Sequence, residues 1–498
     1  MPSSKGMTFS EPLSFEMSKK GLSGFDTEMP KILKSKLKNV RNSIGLPEMS
    51  EPSVVRHFTR LSTLNYGIDS TFYPLGSCTM KHNPRINEKT ARLDGFANIH
   101  PSQPISSIQG ALELMYNLQN WLSELSGLPG VTLMPAAGAH GELAGIMVIK
   151  KALEARGEKR NLIIVPDSAH GTNPATAAMC GFSIVSVPVK SNGLADFDEL
   201  EKVVNQHGTN IAGIMLTNPS TCGLFEYEAK KIADLIHSVG GYFYCDGANF
   251  NAIVAKSKPS EFGVDVMHFN LHKTFSTPHG GGGPGCGPIA VSADLEKYLP
   301  IPKIIKLPNE SFDVITEDAN SIGKIKSFFG QFGVMVRAYS YMLSQGIDGL
   351  KQVAEDAVLS ANYIYYALKD FYHAPYLSAE QPYCMHECLF TDKTQKDATG
   401  VTTLNIAKTL LENGLHPMTT FFPLVVHGAM LIEPTETESK DTIDHFISVM
   451  KQIASDSITN PDTIKANPIS TPRKKLNDVL AAKKALTTYD LLLADEAK

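Results

Sequence analysis

One lysine, Lys273, stands where a reactive amine would be useful. It follows an apolar run, residues 264–269, that has the length and β-branched content of a buried strand. It precedes four consecutive glycines, residues 280–283, which suit a backbone that bends sharply or lies close to another group. Lysine forms Schiff bases with carbonyl compounds and with pyridoxal phosphate. The alternative interpretation is a solvated lysine at the edge of a loop.

Three other polar residues follow predicted strands. Asp246 ends the run 242–246, His170 lies beyond a run ending at Val165, and Asn218 follows Thr217. A pyridine cofactor that accepts electrons needs a Schiff-base lysine and an acidic group that keeps its ring nitrogen protonated, a role that suits Asp246. The His170 imidazole could stack on the ring, and the Asn218 amide could reach the phenolic oxygen of the ring. The alternatives are that Asp246 forms a turn and that His170 is simply packed.

The elements that must position these residues alternate along the chain. Apolar strands separated by helices predict an α/β fold, with a mostly parallel sheet covered on both faces. Such sheets bind ligands at the carboxyl ends of their strands. A helix is predicted over 108–125, and residues 135–142 open another that runs to about 156. The small residues at the amino-terminal end of that helix suit a binding site for an anion or a phosphate, although a helix start without a ligand is as common.

Outside the large domain that holds these elements, the sequence predicts an arm, a small domain and a tail. Residues 1–105 have little periodicity, apart from a helix over 56–62, and their aromatic and apolar content favours an arm that wraps a partner over a floppy extension. We predict a large domain over 106–344, a small α+β domain over 345–455 and a tail over 456–498. In the small domain, strands are predicted at 386–390 and 421–426. Helices are predicted at 349–368, 401–413, 436–454 and, in the tail, 473–486.

Composition excludes several classes of function. The chain has 498 residues, 42% hydrophobic and 19% charged, as in ordinary soluble proteins. A net charge of -5 without a basic stripe argues against nucleic-acid binding. Seven cysteines lack CxxC spacing, so we expect no disulfide framework, no metal site and a reducing compartment. The absence of a long apolar run predicts a cytoplasmic protein with no membrane association.

Several long motifs, in one order over nearly the whole chain, resemble the glycine dehydrogenase (decarboxylating) family, the pyridoxal-phosphate P-protein of the glycine cleavage system. The likeness is to the carboxyl-terminal half of its long single-chain form. The motifs are Tyr73-Pro-Leu-Gly-Ser-Cys-Thr-Met-Lys81, Ala137-Gly-Ala-His-Gly-Glu142, Ser168-Ala-His-Gly-Thr-Asn-Pro174, Asp246-Gly-Ala-Asn249, Asn270-Leu-His-Lys-Thr274, Phe422-Pro-Leu-Val-Val-His-Gly428 and Ile432-Glu-Pro-Thr-Glu-Thr-Glu-Ser439.

The resemblance implies a fold-type I, aminotransferase-like transferase architecture with bound pyridoxal phosphate. It makes Lys273 the Schiff-base lysine, Asp246 the partner of the pyridinium nitrogen and His170 the residue stacked on the ring. It places the cofactor phosphate near Gly138 and Ala139. Asn218 and Thr172 complete the expected cofactor-binding set.

The resemblance also implies the reaction and the partners. Glycine is decarboxylated, and its aminomethyl group passes to the lipoyl group of H-protein. A separate chain, subunit 1, would correspond to the amino-terminal half of the long form, in an assembly of two heterodimers. Two features depart from the family: His140 stands where glutamine is expected, and residues 491–498 extend past the usual end.

Two rival interpretations remain at this point. The first is another pyridoxal-phosphate enzyme of the same fold, such as a cysteine desulfurase or a different amino-acid decarboxylase. A desulfurase would need a mobile nucleophilic cysteine, and Cys286 is the only cysteine near Lys273 in sequence. A non-catalytic scaffold would need neither Lys273 nor Asp246. Arg337 is a candidate for binding the glycine carboxylate, or else forms a structural ion pair.

Overall fold

The structure is a computed structural model that describes residues 11–24, 45–280 and 285–496. Residues 281–284, which hold most of the predicted glycine run, lie outside the described residues. The same holds for residues 1–10 and 25–44 of the predicted arm and for residues 497 and 498 of the predicted tail.

The first part of the described chain is helical. Its helices are α1 Ser14–Met17, α2 Glu51–Thr63, α3 Arg85–Ala91, α4 Asp94–Ala97 and α5 Gln109–Ser126. The predictions of helix over 56–62 and over 108–125 are therefore confirmed. Helix α5 ends where Gly127 takes a left-handed backbone conformation (φ 73), which favours glycine.

Part of the predicted arm packs on its own chain. The ring of Phe72 meets Phe446 edge to face at 5.1 Å, and Tyr73 stacks on His416 at 3.6 Å. Both Phe446 and His416 belong to the carboxyl-terminal part of the chain. That other parts of the arm wrap a partner stays a prediction.

Seven strands and five helices form the central α/β unit. The strands are β1 Gly130–Thr132, β2 Leu162–Pro166, β3 Ser183–Val187, β4 Ile211–Thr217, β5 Tyr242–Gly247, β6 Val266–Phe269 and β7 Ile289–Val291. The helices are α6 Gly138–Ala155, α7 Thr172–Met179, α8 Phe197–His207, α9 Ala229–Ser238 and α10 Leu271–Thr274.

The sheet order is β1-β7-β6-β5-β4-β2-β3. The pairs β2–β3, β2–β4, β4–β5 and β5–β6 are parallel, whereas β7 runs antiparallel to both of its neighbours. The predicted mostly parallel sheet is confirmed. Strand β7, which follows the glycine run, was not predicted.

Alternating residues along the strands supply two hydrophobic cores, one on each face of the sheet. In β2, Ile163 and Val165 belong to one core and Ile164 to the other. In β5, Tyr244 and Phe243 divide in the same way. Burying a large apolar side chain contributes about 1.5–3 kcal/mol, so the two cores fix the register of the strands.

A hairpin and a long helix follow the sheet. The hairpin strands, β8 Lys303–Lys306 and β9 Phe312–Ile315, were not predicted. Helix α11 Phe332–Leu368 contains a break at Gly346, whose backbone (φ 62, ψ -178) is essentially restricted to glycine. The helix predicted from residue 349 is the part of α11 that follows this break.

The small α+β unit has an antiparallel sheet of order β10-β12-β11. Its strands are β10 Cys388–Thr391, β11 Thr419–Thr420 and β12 Ala429–Ile432. Its helices are α12 Lys393–Thr399, α13 Thr403–Glu412, α14 Lys440–Thr459 and α15 Pro461–Ala466. Their apolar faces form a third core around Phe390, Leu410 and Phe446.

The predicted strand over 421–426 is wrong. Phe421 has a left-handed backbone (φ 59), and Pro423 has no N–H for a strand ladder. The N–H of Val426 instead donates to the Pro423 carbonyl at 3.1 Å, closing a turn. The strand that pairs with β10 is β12, a few residues further on.

The remaining elements are short. In the tail, the helix predicted over 473–486 is confined to α16 Asp478–Lys483, and α17 Tyr489–Glu496 follows. Short 3-10 turns lie at Ile105–Ser107, Gly208–Asn210, Phe250–Ala252, Pro259–Phe262 and Glu296–Tyr298. Among the described helices, none combines the length and the apolar character needed to cross a bilayer.

Substituting Gly76 tests the contact between the arm and the small sheet. Leu75 bridges to Ile432, and a Cβ at Gly76 would lie 2.7 Å from the Leu431 carbonyl oxygen of β12. Gly76→Ala should therefore lower the free energy of unfolding by about 1–3 kcal/mol, measured by urea denaturation. Gly95→Ala is the matched control, because a Cβ there meets no atom within 4 Å. Equal denaturation midpoints for the two variants would contradict the contact.

Candidate active site

The carboxyl ends of the central strands open into a cavity of about 260 Å³. Lys273, Asp246 and His170 all line it, together with Gly138, Ala139 and Thr172. Strands β5 and β6 are neighbours, so the ends that carry Asp246 and lead into Lys273 lie side by side. Six of the seven residues that the sequence analysis selected therefore meet in one place.

A larger cavity, of about 680 Å³, lies between α5 and the β8–β9 hairpin. Its charged groups include Lys303 and Asp318, which pair with each other at 2.7 Å. We place the chemistry in the smaller cavity, because there the Lys273 amine and the Asp246 carboxylate line one space without pairing to each other.

The Lys273 amine is held by the main chain of the arm. Lys273 lies in α10, the single helical turn that follows β6, and its side chain is half-buried. The Nζ atom donates a hydrogen bond to the carbonyl oxygen of Ser77 at 2.7 Å. The predicted reactive lysine is thus directed into the cavity and held at its outer wall.

Asp246 is a buried carboxylate, only 2% exposed, whose two oxygens are both hydrogen-bonded. Oδ2 accepts from the Asn173 amide at 3.0 Å and Oδ1 from the Ala248 N–H at 2.9 Å, while His268 Nε2 lies 3.5 Å from Oδ1. Burial opposes the charge, but His268 and the two hydrogen bonds outweigh it and hold the pKa of Asp246 below its ordinary value. The group is an anion at neutral pH.

The pKa of Glu142 is shifted in the opposite direction from that of Asp246. Burial, and then repulsion from Asp246, raises the pKa of Glu142 to about 8. Its oxygens accept hydrogen bonds from Thr172 Oγ1 at 2.8 Å and Asn173 Nδ2 at 3.2 Å. Asn173 therefore joins the two acids, and the site keeps Asp246 charged and Glu142 protonated at neutral pH.

His170 lines the cavity: its ring is partly enclosed by the cavity walls, while the residue as a whole stays open to solvent. Its Nδ1 lies 2.8 Å from Thr172 Oγ1 and 3.2 Å from the Thr172 main-chain nitrogen, so Thr172 holds this edge of the ring. Burial within the cavity lowers the pKa of His170, so the neutral form is favoured. A neutral, flat ring held by Thr172 suits the predicted stacking role.

The amino-terminal end of α6 also meets the cavity. Gly138 and Ala139 are its first two residues, and their N–H groups lack partners within the helix. A Cβ at Gly138 would collide with Asn270 Oδ1, so only glycine allows this close approach. The positive end of an 18-residue helix suits a bound phosphate. His140 turns away, and its Nδ1 accepts from the Ala136 N–H at 3.1 Å.

Asn218 is the one selected residue that the structure does not bring to the cavity. Its Oδ1 accepts from the Glu226 N–H at 3.0 Å, so its amide stabilises a turn behind β4. Asn249, two residues after the end of β5, lines the cavity instead, and its Oδ1 has no partner among the described residues. The structure thus brings the amide of Asn249, and not that of Asn218, to the cavity.

The structure also decides two alternatives that the sequence left open. Arg337 forms a bidentate ion pair with Glu88, at 2.7 and 3.0 Å, which is the structural role.

Cys286 is fully buried, its Sγ lies 3.6 Å from the Pro135 carbonyl, and burial raises the pKa of its thiol to about 12. It is not the mobile nucleophile that a desulfurase needs. The cysteine that does line the cavity, Cys78, comes from the arm.

Several site residues were missed by sequence reasoning. The set comprises Ser77, Cys78, Glu142, Asn173, Thr217, Thr221, Ala248, Asn249, His268, Asn270 and His272. Most lie inside the motifs that carried the family resemblance, so the motifs themselves were the available signal. Choosing among their members required knowing which side chains face the cavity.

The fold and the site define a class of protein: the fold-type I, aminotransferase-like pyridoxal-phosphate enzymes. The fold matches a crystal structure of glycine decarboxylase (P-protein) of the glycine cleavage system, in inhibitor-bound form. The TM-score is 0.68 and the identity 18%, over 85% of this chain and 93% of that chain. It also matches Oryza sativa TDC with PLP and tryptamine (TM-score 0.64, 14% identity), over 88% and 93% of the two chains. At these identities the likeness establishes the fold.

Sequence comparison is more specific. A family profile described as Glycine cleavage system P-protein matches residues 16–309, and one described as Glycine dehydrogenase, C-terminal domain, matches residues 353–472. The chain is 53% identical over 448 residues to the probable glycine dehydrogenase (decarboxylating) subunit 2 of Caulobacter vibrioides, covering 89% of this chain and 84% of that relative. The chain belongs to the glycine cleavage system P-protein family.

The residues of the cavity fit pyridoxal phosphate. Lys273 offers an amine, Asp246 a buried anion, and the first turn of α6 free N–H groups. Buried polar atoms, Thr217 Oγ1 and Asn270 Oδ1, lack partners among the described residues. Buried polar atoms without a hydrogen-bond partner destabilise a folded protein. They are expected where a polar ligand supplies the missing hydrogen bonds.

The protonated state of Glu142 can be tested through stability. The folded chain keeps this proton up to about pH 8, whereas an ordinary carboxyl loses it near pH 4.5. The free energy of unfolding should therefore fall as pH rises through that window, because the folded state binds the extra proton. Glu142→Gln should make this fall smaller, measured by urea denaturation of cofactor-free protein at both ends of the window. Glu51→Gln, on the exposed start of α2, should keep the wild-type pH dependence, and an unflattened profile in Glu142→Gln would refute the assignment.

Proposed function

We propose that this chain decarboxylates glycine with pyridoxal phosphate held on Lys273, and that the aminomethyl group passes to the lipoyl group of H-protein. The carrying observation is that the Lys273 amine and the Asp246 anion lie in one cavity, beyond neighbouring strand ends. The name of the Caulobacter relative, probable glycine dehydrogenase (decarboxylating) subunit 2, supports the substrate and the reaction.

Each residue has a defined task in this proposal. When bound, pyridoxal phosphate supplies a protonated pyridine ring that accepts the electrons left on glycine as carbon dioxide departs. Asp246 keeps the proton on the ring nitrogen, because its carboxylate stays ionised. Lys273 would hold the cofactor covalently, His170 would lie against its ring, and the first turn of α6 would bind its phosphate.

Transfer to the lipoyl group balances the electrons. The carbon that has lost carbon dioxide forms a bond to one sulfur of the lipoyl disulfide. The S–S bond breaks, and the other sulfur leaves as a thiol after taking up a proton. The lipoyl group is thereby reduced as it receives the aminomethyl group.

We further propose a partner chain equivalent to the amino-terminal half of the long form, in an assembly of two heterodimers. The words "subunit 2" in the name of the relative support a second subunit. Exposed apolar side chains on the arm would be covered by it, among them Val55 and Phe58 on α2 (56% and 58% exposed) and Leu93 (55%). The seven free cysteines support a reducing compartment, and we infer the cytoplasm.

The reaction is tested by exchange of labelled bicarbonate into the carboxyl group of glycine, with H-protein and the partner chain present. Lys273→Ala should abolish the exchange and the covalent cofactor, because Lys273 is the one lysine among the described residues that lines the cavity. Lys256→Ala, on the surface, should retain both. Exchange retained in Lys273→Ala would overturn the assignment. Exchange by the wild-type chain alone would remove the need for a partner.

Asp246→Asn tests the role of the buried anion. The variant should still bind pyridoxal phosphate on Lys273 but should exchange bicarbonate at least about 100-fold more slowly, because the ring nitrogen loses the charge that keeps it protonated. Cofactor content is measured by visible absorbance in the same preparations. Asp69→Asn, at an exposed ion pair with Arg85, is the matched control. Turnover at the wild-type rate in Asp246→Asn would contradict the ring-nitrogen role.

A further inference from the structure

The loop that holds the Lys273 amine is itself held in an unusual backbone conformation. Ser77 (φ 62) and Thr79 (φ 37) both lie in the left-handed region, which residues with side chains rarely adopt. Such residues persist only where surrounding contacts determine the backbone. We call residues 77–79 the lysine-facing loop, because the Ser77 carbonyl accepts from Lys273 Nζ at 2.7 Å.

The contacts that fix this loop come from two glutamates of the small unit. The Ser77 N–H donates to Glu387 Oε2 at 2.7 Å, and the Thr79 N–H donates to Glu433 Oε2 at 3.0 Å. The Thr79 hydroxyl also donates to Glu433 Oε1. Each of the two residues with left-handed backbone therefore has its own glutamate side chain as hydrogen-bond acceptor.

The two glutamates are placed by the small sheet. Glu387 precedes β10 and Glu433 follows β12, and these strands pair with Cys388 opposite Ile432. The register therefore sets the two acids side by side at one edge of the sheet. Both side chains are 0% exposed, so their polar groups depend on the loop for hydrogen bonds.

A third element ties the pair to the cavity. The Asn249 amide, which lines the cavity, donates to Glu387 Oε1 at 3.4 Å. All four carboxylate oxygens of the two acids are thus occupied by donors from the loop or from Asn249. His386 lies beside them, with Nε2 3.7 Å from Glu433 Oε1. Since the oxygens already accept hydrogen bonds, we assign the acids to the loop and not to a cation.

We propose that Glu387 and Glu433 are positioning residues for Lys273: they fix the lysine-facing loop, and through the Ser77 carbonyl they orient the Lys273 amine for covalent capture of the cofactor. This inference rests on the proposed function of Lys273. It makes the small unit part of the active site, although neither acid lines the cavity where the chemistry takes place.

The test measures how fast the full chain, freed of cofactor, binds added pyridoxal phosphate covalently, followed by visible absorbance. Glu387→Gln and Glu433→Gln should each slow this capture by about 10- to 100-fold, since a misplaced reacting group costs that order of rate. The site of attachment is read by borohydride reduction and peptide mass spectrometry. Thermal unfolding is measured on every variant.

Asp392→Asn is the matched control, because Asp392 is also a buried acid of the small unit that accepts a main-chain N–H. Its Oδ2 accepts from Thr403 N at 2.8 Å, at the start of α13 and away from the lysine-facing loop. It should lose thermal stability but capture the cofactor within about twofold of the wild-type rate. Capture slowed equally in Asp392→Asn would show a merely structural effect and overturn the inference.

Thr79→Val serves if the glutamine variants do not fold. It removes the hydroxyl donor to Glu433 and leaves the main-chain N–H, so capture should slow in the same direction. If the folded variants capture the cofactor at the wild-type rate, and on Lys273, this inference is overturned while the proposed function stands. Attachment to a different lysine in the wild-type chain would overturn the proposed function as well.

Discussion

A buried negative charge on Asp246 is the constraint on which the site depends. A carboxylate is stable at such a depth only when its oxygens are hydrogen-bonded, and here the donors come from Asn173 and from the Ala248 main chain. These donors belong to α7 and to the turn after β5. The packing of strand, turn and helix at this edge of the sheet is therefore set by the need to keep one acid ionised.

The neighbouring acid shows how the site separates two similar groups. Glu142 and Asp246 share the Asn173 amide, yet burial and mutual repulsion leave Glu142 protonated while Asp246 stays charged. Two ionised carboxylates this close would repel one another in a poorly solvated space. The protonated Glu142 can still accept the hydrogen bond from the Thr172 hydroxyl. This hydrogen bond orients Thr172, which lies beside His170.

The reactive lysine lies where three parts of the chain meet. The central sheet supplies Lys273 and Asp246, the arm supplies the Ser77 carbonyl, and the small unit supplies the acids that hold the arm. No one of these parts contains a complete site.

The sequence by itself determined the central sheet, because apolar strands and amphipathic helices have distinct periods, and it placed Lys273 and Asp246 at neighbouring strand ends. The family motifs added the cofactor and most of the residues around it. Tertiary structure alone decided that Asn249 lines the cavity in place of Asn218 and that the last strand begins at Ala429. It alone joined Ser77 to Glu387 across 310 residues of sequence. The pattern of apolar residues in a segment indicates whether it forms a helix or a strand and which face is buried. Contacts between segments that are distant in sequence depend on how the folded helices and strands pack against one another.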